Sequence, residues 1–169
     1  RPQEGNYTAK TIPQKLNTII RLNESSASTT RLLQLNTTDI NGTLMDAGRA
    51  DFVIEKNTVE IWTLRNESST YHPMHIHGVQ FQVLERNGAP APAQESGWKD
   101  TISLDPAEVV RVIARFPGYA DPNTPYMYHC HILEHEDMGM MGQYVVVDDP
   151  SHTVDIQPVL QEAGQSMEG

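Results

Sequence analysis

The sequence predicts an all-β protein built as a Greek-key β-sandwich, and three observations carry that expectation. About eight short segments rich in β-branched and aromatic residues recur, with turn signals roughly every 8–12 residues. Eleven Pro and eleven Gly among 169 residues, together with many Thr, Ser, Val and Ile, favour a turn-rich β chain. No long amphipathic helix and no repeat of fixed period interrupts this pattern.

Residues 1–15 are polar, with Pro2, Gly5 and Pro13, and read as a linker or entering arm. Segments 12–23 and 30–36 carry apolar residues at mixed spacing and are expected to be strands, and Glu24-Ser25-Ser26-Ala27-Ser28 between them reads as a turn or flexible loop. Ile40-Asn41-Gly42-Thr43 carries a hairpin signal. A short strand is expected over 51–54, and a second over 58–65, whose VEIWTL core feeds apolar groups to both faces. In 78–86 Val79, Phe81 and Val83 take one face and Gln80 and Gln82 the other. Residues 87–92 form a loop tip, 98–104 are extended, and 108–116 place Val110, Val112, Ala114 and Phe116 on one face. A Gly/Pro/Asp loop delivers the chain to a strand at 125–131. A short helical turn follows, Gly139 bends the chain back, and 142–147 close the sandwich. The expected organisation is an arm at 1–15, one domain at 16–148 and a polar tail at 149–169.

Composition excludes several roles. A net charge of −10 argues against nucleic acid or an anionic membrane as partner, because phosphate binding needs clustered Lys and Arg. No apolar run approaches the roughly 18 residues of a membrane-spanning helix, and no stretch of the given sequence is expected to act as a signal peptide. The chain starts at Arg1, so a processed product or a piece of something longer is expected. Asn-x-Ser/Thr sites at Asn6, Asn23, Asn36, Asn41 and Asn66 read as by-products of a polar surface.

The chemistry sits in two stretches. Residues 126–141 contain His129-Cys130-His131, then His135 and Met140, and the single cysteine of the chain. On a strand His129 and His131 share one face while Cys130 takes the other. Cys130, His135 and Met140 then gather on one side, and a thiolate, an imidazole and a thioether are soft ligands that suit copper. A blue-copper site needs one more histidine, and His72 supplies it from His72-Pro73-Met74-His75-Ile76-His77. His75 and His77 share a face and are expected to converge with His129 and His131 on a second metal site. Same-face neighbours stand roughly 7 Å apart at Cα, which suits histidines that hold different ions of a cluster. Zinc also accepts His and Cys, but donors split between two faces and a thioether favour copper. Met74 and Met127 read as core residues, and His152 as a surface residue of the tail.

HPMHIHG, GWKDT and HCHILEHEDMGMM, in this order, resemble the C-terminal cupredoxin domain of three-domain multicopper oxidases, especially the bacterial laccase and bilirubin-oxidase branch. The resemblance covers about residues 30–147. It implies a cupredoxin-like Greek-key fold. It also implies type 1 copper at His72, Cys130, His135 and axial Met140, a type 2 ligand at His75, and type 3 ligands at His77, His129 and His131. Glu136 resembles the family's proton-delivering acid. The activity it implies couples one-electron oxidation of a small reducing substrate to four-electron reduction of O2 to water.

That family builds its trinuclear cluster from four His-x-His motifs, and this chain has two. The remaining histidines are therefore expected from other domains of the oxidase, on a second polypeptide or within the same assembly. A periplasmic or extracellular location follows from the family alone. The alternatives are a blue-copper electron-transfer module without oxidase activity, a cuprous-ion oxidase for copper tolerance, and a metal-free structural domain. Asn66-Glu67-Ser68-Ser69-Thr70-Tyr71, ahead of His72, lacks the methionines expected of a cuprous-ion oxidase.

Overall fold

The computed structural model describes residue 11 and residues 17–151. Ten strands among the described residues form two five-stranded sheets. One sheet runs, in spatial order, β1 (Ala27–Leu35), β3 (Val59–Asn66), β8 (Val109–Arg115), β5 (Phe81–Arg86) and β6 (Ala89–Pro90). The other runs β2 (Phe52–Glu55), β10 (Met141–Val147), β9 (Tyr126–Cys130), β4 (His72–Ile76) and β7 (Thr101–Leu104). β1 pairs with β3 and β2 with β10 in parallel, and the other pairs are antiparallel. Helix is confined to α1 (Leu133–Asp137) and two 3-10 turns at Glu24–Ser26 and Ala93–Glu95. The all-β sandwich with one short helical turn after the HCH strand is therefore the observed fold.

The two sheets close on an aromatic centre. Trp62 of β3 meets the rings of Phe52, Tyr128 and Tyr144 from the opposite sheet edge-on, at 5.5, 5.7 and 5.9 Å between centroids. Phe116 stacks on it from its own side at 5.8 Å. Edge-to-face pairs add about 0.5–1.5 kcal/mol each to the burial term. The indole N–H of Trp62 donates to Glu60, whose buried carboxylate is also gripped by Arg31 at 2.6 Å. A buried charge at this edge is thus paired.

Register then sorts the site residues. β4 and β9 are antiparallel neighbours with Met74 opposite Cys130 and His75 opposite His129. Directly opposed residues share a face. His72, Met74, Ile76, Tyr128 and Cys130 therefore face the core, where all are almost fully buried, while His75 and His129 take the opposite face. Met74 is a core residue, as its sequence context suggests.

Several elements depart from expectation. The strand expected over 12–23 is absent where it can be followed: 17–23 have no strand structure, and 12–16 lie outside the described residues. Side chains hold this segment instead. The Gln82 amide donates to the Ile20 carbonyl and accepts from the Leu22 N–H, and Arg21 donates to the Val83 carbonyl at 2.7 Å. Gln82 is accordingly buried, so the alternation read in 78–86 marks a strand covered on both sides. That strand starts only at Phe81, because Gly78 turns at φ +75°. β1 starts at Ala27, inside the expected loop, and β7 keeps only the last four residues of 98–104. Most of the arm, and residues 152–169 of the tail with His152, lie outside the described residues.

Candidate metal centre

Cys130 ends β9 with its sulfur turned inward. Its Sγ lies 3.5 Å from His72 Nδ1 and 3.6 Å from His135 Nδ1. A metal with bonds of about 2.0–2.3 Å to each donor can bridge such spacings. His72 comes from the first position of β4, and His135 from α1. Gly139, at φ +95°, reverses the chain after α1. Met140 is thereby returned to the site: its N–H donates to the His135 carbonyl at 2.9 Å, and its carbonyl accepts from the Cys130 N–H at 3.1 Å. Met140 is fully buried. Cys130 and His135 from one loop thus meet His72 from β4, and backbone hydrogen bonds tie Met140 to the first two.

On the opposite face His75, His77 and His129 place their ring nitrogens within 4.8 Å of one another. His77 Nε2 and His129 Nε2 are 3.0 Å apart. His131 stands at the exposed rim, with its ring 5.4 Å from that of His129 and 5.8 Å from that of His75. His75 and His77 open onto a cleft of about 630 Å³ bordered by Trp98, Asp100 and Arg115. His75 Nδ1 meets the Asp100 carbonyl at 2.9 Å and the Thr101 hydroxyl at 3.0 Å, which leaves Nε2 for a metal. His129 Nδ1 meets the Cys130 carbonyl at 3.1 Å and lies 3.6 Å from a Glu136 carboxylate oxygen.

Electrostatics agree with metal binding. Burial, helped by His135, pushes the His72 pKa down to about 4, so this ring is neutral at pH 7. Burial and then the neighbouring His75 and His129 lower His77. Burial pushes the Cys130 thiol up, so a metal entering the inner set must displace its proton. Two imidazoles, a buried cysteine and a buried thioether-bearing residue fit copper better than zinc, which has no use for the methionine.

His72, Cys130 and His135 thus form the inner set and His75, His77 and His129 the outer one. His131 stands at the rim, the Met140 backbone is bonded to His135 and Cys130, and Glu136 lies beside His129. Sequence reasoning missed their supports. Ser68 and Asn66 stand behind His72, Asp100 and Thr101 behind His75, and the Tyr144 hydroxyl donates to the His77 carbonyl at 2.6 Å. GWKDT contains Asp100 and Thr101, so its role was available in the motif. Asn66 is not a surface by-product: it is fully buried and saturated with hydrogen bonds.

A family model described as multicopper oxidase matches residues 9–150. The chain belongs to the multicopper oxidases. Multicopper oxidase mco of Staphylococcus haemolyticus is 42% identical over 113 residues, spanning 64% of this chain and 24% of that protein. A laccase of Haloferax volcanii is 35% identical over 152 residues, spanning 83% of this chain and 26% of that protein. The cell division protein FtsP of Photorhabdus laumondii is 38% identical over 112 residues, or 66% of this chain and 23% of that protein. Among solved structures, a multicopper oxidase of Pediococcus acidilactici superposes with a TM-score of 0.76 at 34% identity, covering 89% of this chain and 33% of that one. A laccase-like multicopper oxidase CueO from Ochrobactrum sp. gives 0.75 at 31% identity, covering 83% and 35%. This multicopper oxidase chain therefore spans about a quarter of the curated relatives and a third of the structural ones, and its fold is their cupredoxin-like domain.

Proposed function

We propose that residues 16–148 form the C-terminal cupredoxin domain of a laccase-like oxidase. His72, Cys130, His135 and axial Met140 would hold a type 1 copper. His75 would hold type 2 copper and His77, His129 and His131 type 3 copper, in a cluster completed by histidines of another domain or chain. Bound copper would supply one-electron oxidation of a small reductant at the inner set and four-electron reduction of O2 to water at the outer one.

The single observation that carries this reading is the reversal of side chains at the end of β9. Cys130 faces His72 and His135, while its bonded neighbour His129 faces His75 and His77. One residue of backbone therefore joins the two donor sets covalently. The buried wall around Cys130 excludes water from the inner set, and α1 keeps His135 half-buried, at the side where a reductant can approach. Glu136, beside His129 Nδ1, is positioned to hand protons toward the outer set. Two His-x-His motifs supply half the histidines of such a cluster, and the relatives' greater length leaves room for the others. No helix among the described residues is long and apolar enough to cross a membrane, and we assign the protein to the periplasm or exterior by its family.

Copper content and colour test this. The whole oxidase is expected to hold near four coppers and this chain alone near one. Cys130→Ser should abolish the blue absorption. One copper in both forms, with no O2 uptake, would identify an electron carrier instead. No copper in either would identify a structural domain.

A further inference from the structure

We propose that Ser68, with its hydroxyl set by Asn66, is a positioning residue that holds the His72 ring in its Nε2–H tautomer and so aims bare Nδ1 at the space beside Cys130. The two ring nitrogens of His72 have different partners: Nδ1 faces Cys130 Sγ at 3.5 Å, and Nε2 lies 2.8 Å from Ser68 Oγ. Which nitrogen carries the hydrogen is decided by whether the serine donates or accepts.

Asn66 decides it. Its Nδ2 faces three carbonyls, of Thr70 at 2.7 Å, Asp105 at 3.0 Å and Leu104 at 3.2 Å, so this end of the amide must be the donor. Its Oδ1 then accepts, from the Ser68 N–H at 2.9 Å and the Ser68 hydroxyl at 2.8 Å. With its one hydrogen spent on Asn66, or on the Thr70 carbonyl at 3.0 Å, the hydroxyl has only lone pairs left for His72 and for the Thr70 N–H. His72 must donate through Nε2. The direction of this relay runs from three fixed backbone carbonyls to a metal ligand, and the Asn66 side chain is fully buried, so water cannot invert it. The Asn36 carbonyl also hydrogen-bonds the His72 ring and is the competing explanation for its orientation.

This inference rests on His72 being a copper ligand only for its consequence; the tautomer itself is a property of the copper-free protein. Long-range 1H–15N NMR of the histidine rings in the full copper-free protein at neutral pH is expected to show His72 purely Nε2-protonated. Ser68→Thr should keep that state, whereas Ser68→Ala, and Asn66→Ala where it folds, should give a mixture. In the copper-loaded protein Ser68→Ala should lose the blue chromophore to a chelator about 10-fold more readily, with Ser68→Thr restoring retention. A single Nε2–H tautomer in Ser68→Ala would overturn the proposal and assign the role to the Asn36 carbonyl. Loss of the blue chromophore assignment to Cys130 would refute the copper reading and leave the tautomer result standing.

Discussion

His77 Nε2 and His129 Nε2 face each other at 3.0 Å, although the residues are 52 positions apart and sit on segments from different strands. Two lone pairs at that separation repel, and two N–H groups would clash, so one shared hydrogen or a bound cation must occupy the gap. Burial and the adjoining rings also hold His77 below the usual histidine range, which disfavours a charged pair. His129→Ala in the whole oxidase should therefore remove copper from the outer set and reduce O2 uptake by about 100-fold or more. Blue absorption should persist, because the Cys130 set is untouched. Absorption and O2 electrode measurements on one preparation check both halves.

Glu136 gives a separable prediction. Its carboxylate lies 3.6 Å from His129 Nδ1 and remains partly exposed, at 27% of its side-chain surface. A group that touches both solvent and the outer set can relay protons without holding metal. Glu136→Gln should leave colour and copper content unchanged while O2 uptake falls about 100-fold. Its rate should also become sensitive to added small-molecule acids. An unchanged rate would mean that protons enter elsewhere.

What the sequence made legible follows from the two-residue period of a strand. His129, Cys130 and His131 could be assigned to faces before any coordinates, because a residue's face depends only on its parity. The same holds for His72 against His75. Parity says nothing about partners distant in sequence. The parallel pairing of β1 with β3, and of β2 with β10, joins segments distant in sequence and left no local signal. Ser68 and Asn66 were illegible for the same reason: their part depends on three carbonyls from residues 70, 104 and 105. The first expected strand is replaced by a segment held by side chains, with the Gln82 amide bonded to the backbone of residues 20 and 22, a contact distant in sequence.

Gly142 probes how tightly β10 is fitted under the site. It pairs with Tyr128 across the ladder, and a Cβ there would fall on the Tyr128 hydroxyl and the Asp51 carboxylate. Those two groups are bonded to each other at 2.9 Å, and Asp51 also accepts from the Gln143 N–H at 3.0 Å. A methyl group must break that contact or push β10 away from β9. Gly142→Ala should cost about 2–3 kcal/mol in denaturant unfolding. Because Tyr128 is two residues from Cys130 on the same face, blue absorption should shift as well.

Arg86 and Glu95 provide the acid-side prediction away from any metal. The guanidinium forks onto Glu95 at 2.7 and 2.9 Å, reaches Glu108 at 2.8 Å, and donates to the Ser103 carbonyl at 3.1 Å. It thereby ties β5 to the Ala93–Glu95 turn, β7 and the entry to β8. Its hydrogen bonds, opposed by partial burial and aided by its positive charge, hold the Glu95 carboxyl below the usual carboxylate range. A carboxylate whose pKa is depressed on folding stabilises the protein above its unfolded pKa, and that contribution disappears as pH falls through the folded value. Glu95→Gln should therefore cost about 1 kcal/mol at pH 7, a figure reduced for partial exposure. The gap between variant and parent should close as pH drops below about 4. Urea unfolding of both proteins across that window measures it. A gap that stays constant with pH would mean that neutral hydrogen bonds, not charge, hold the turn.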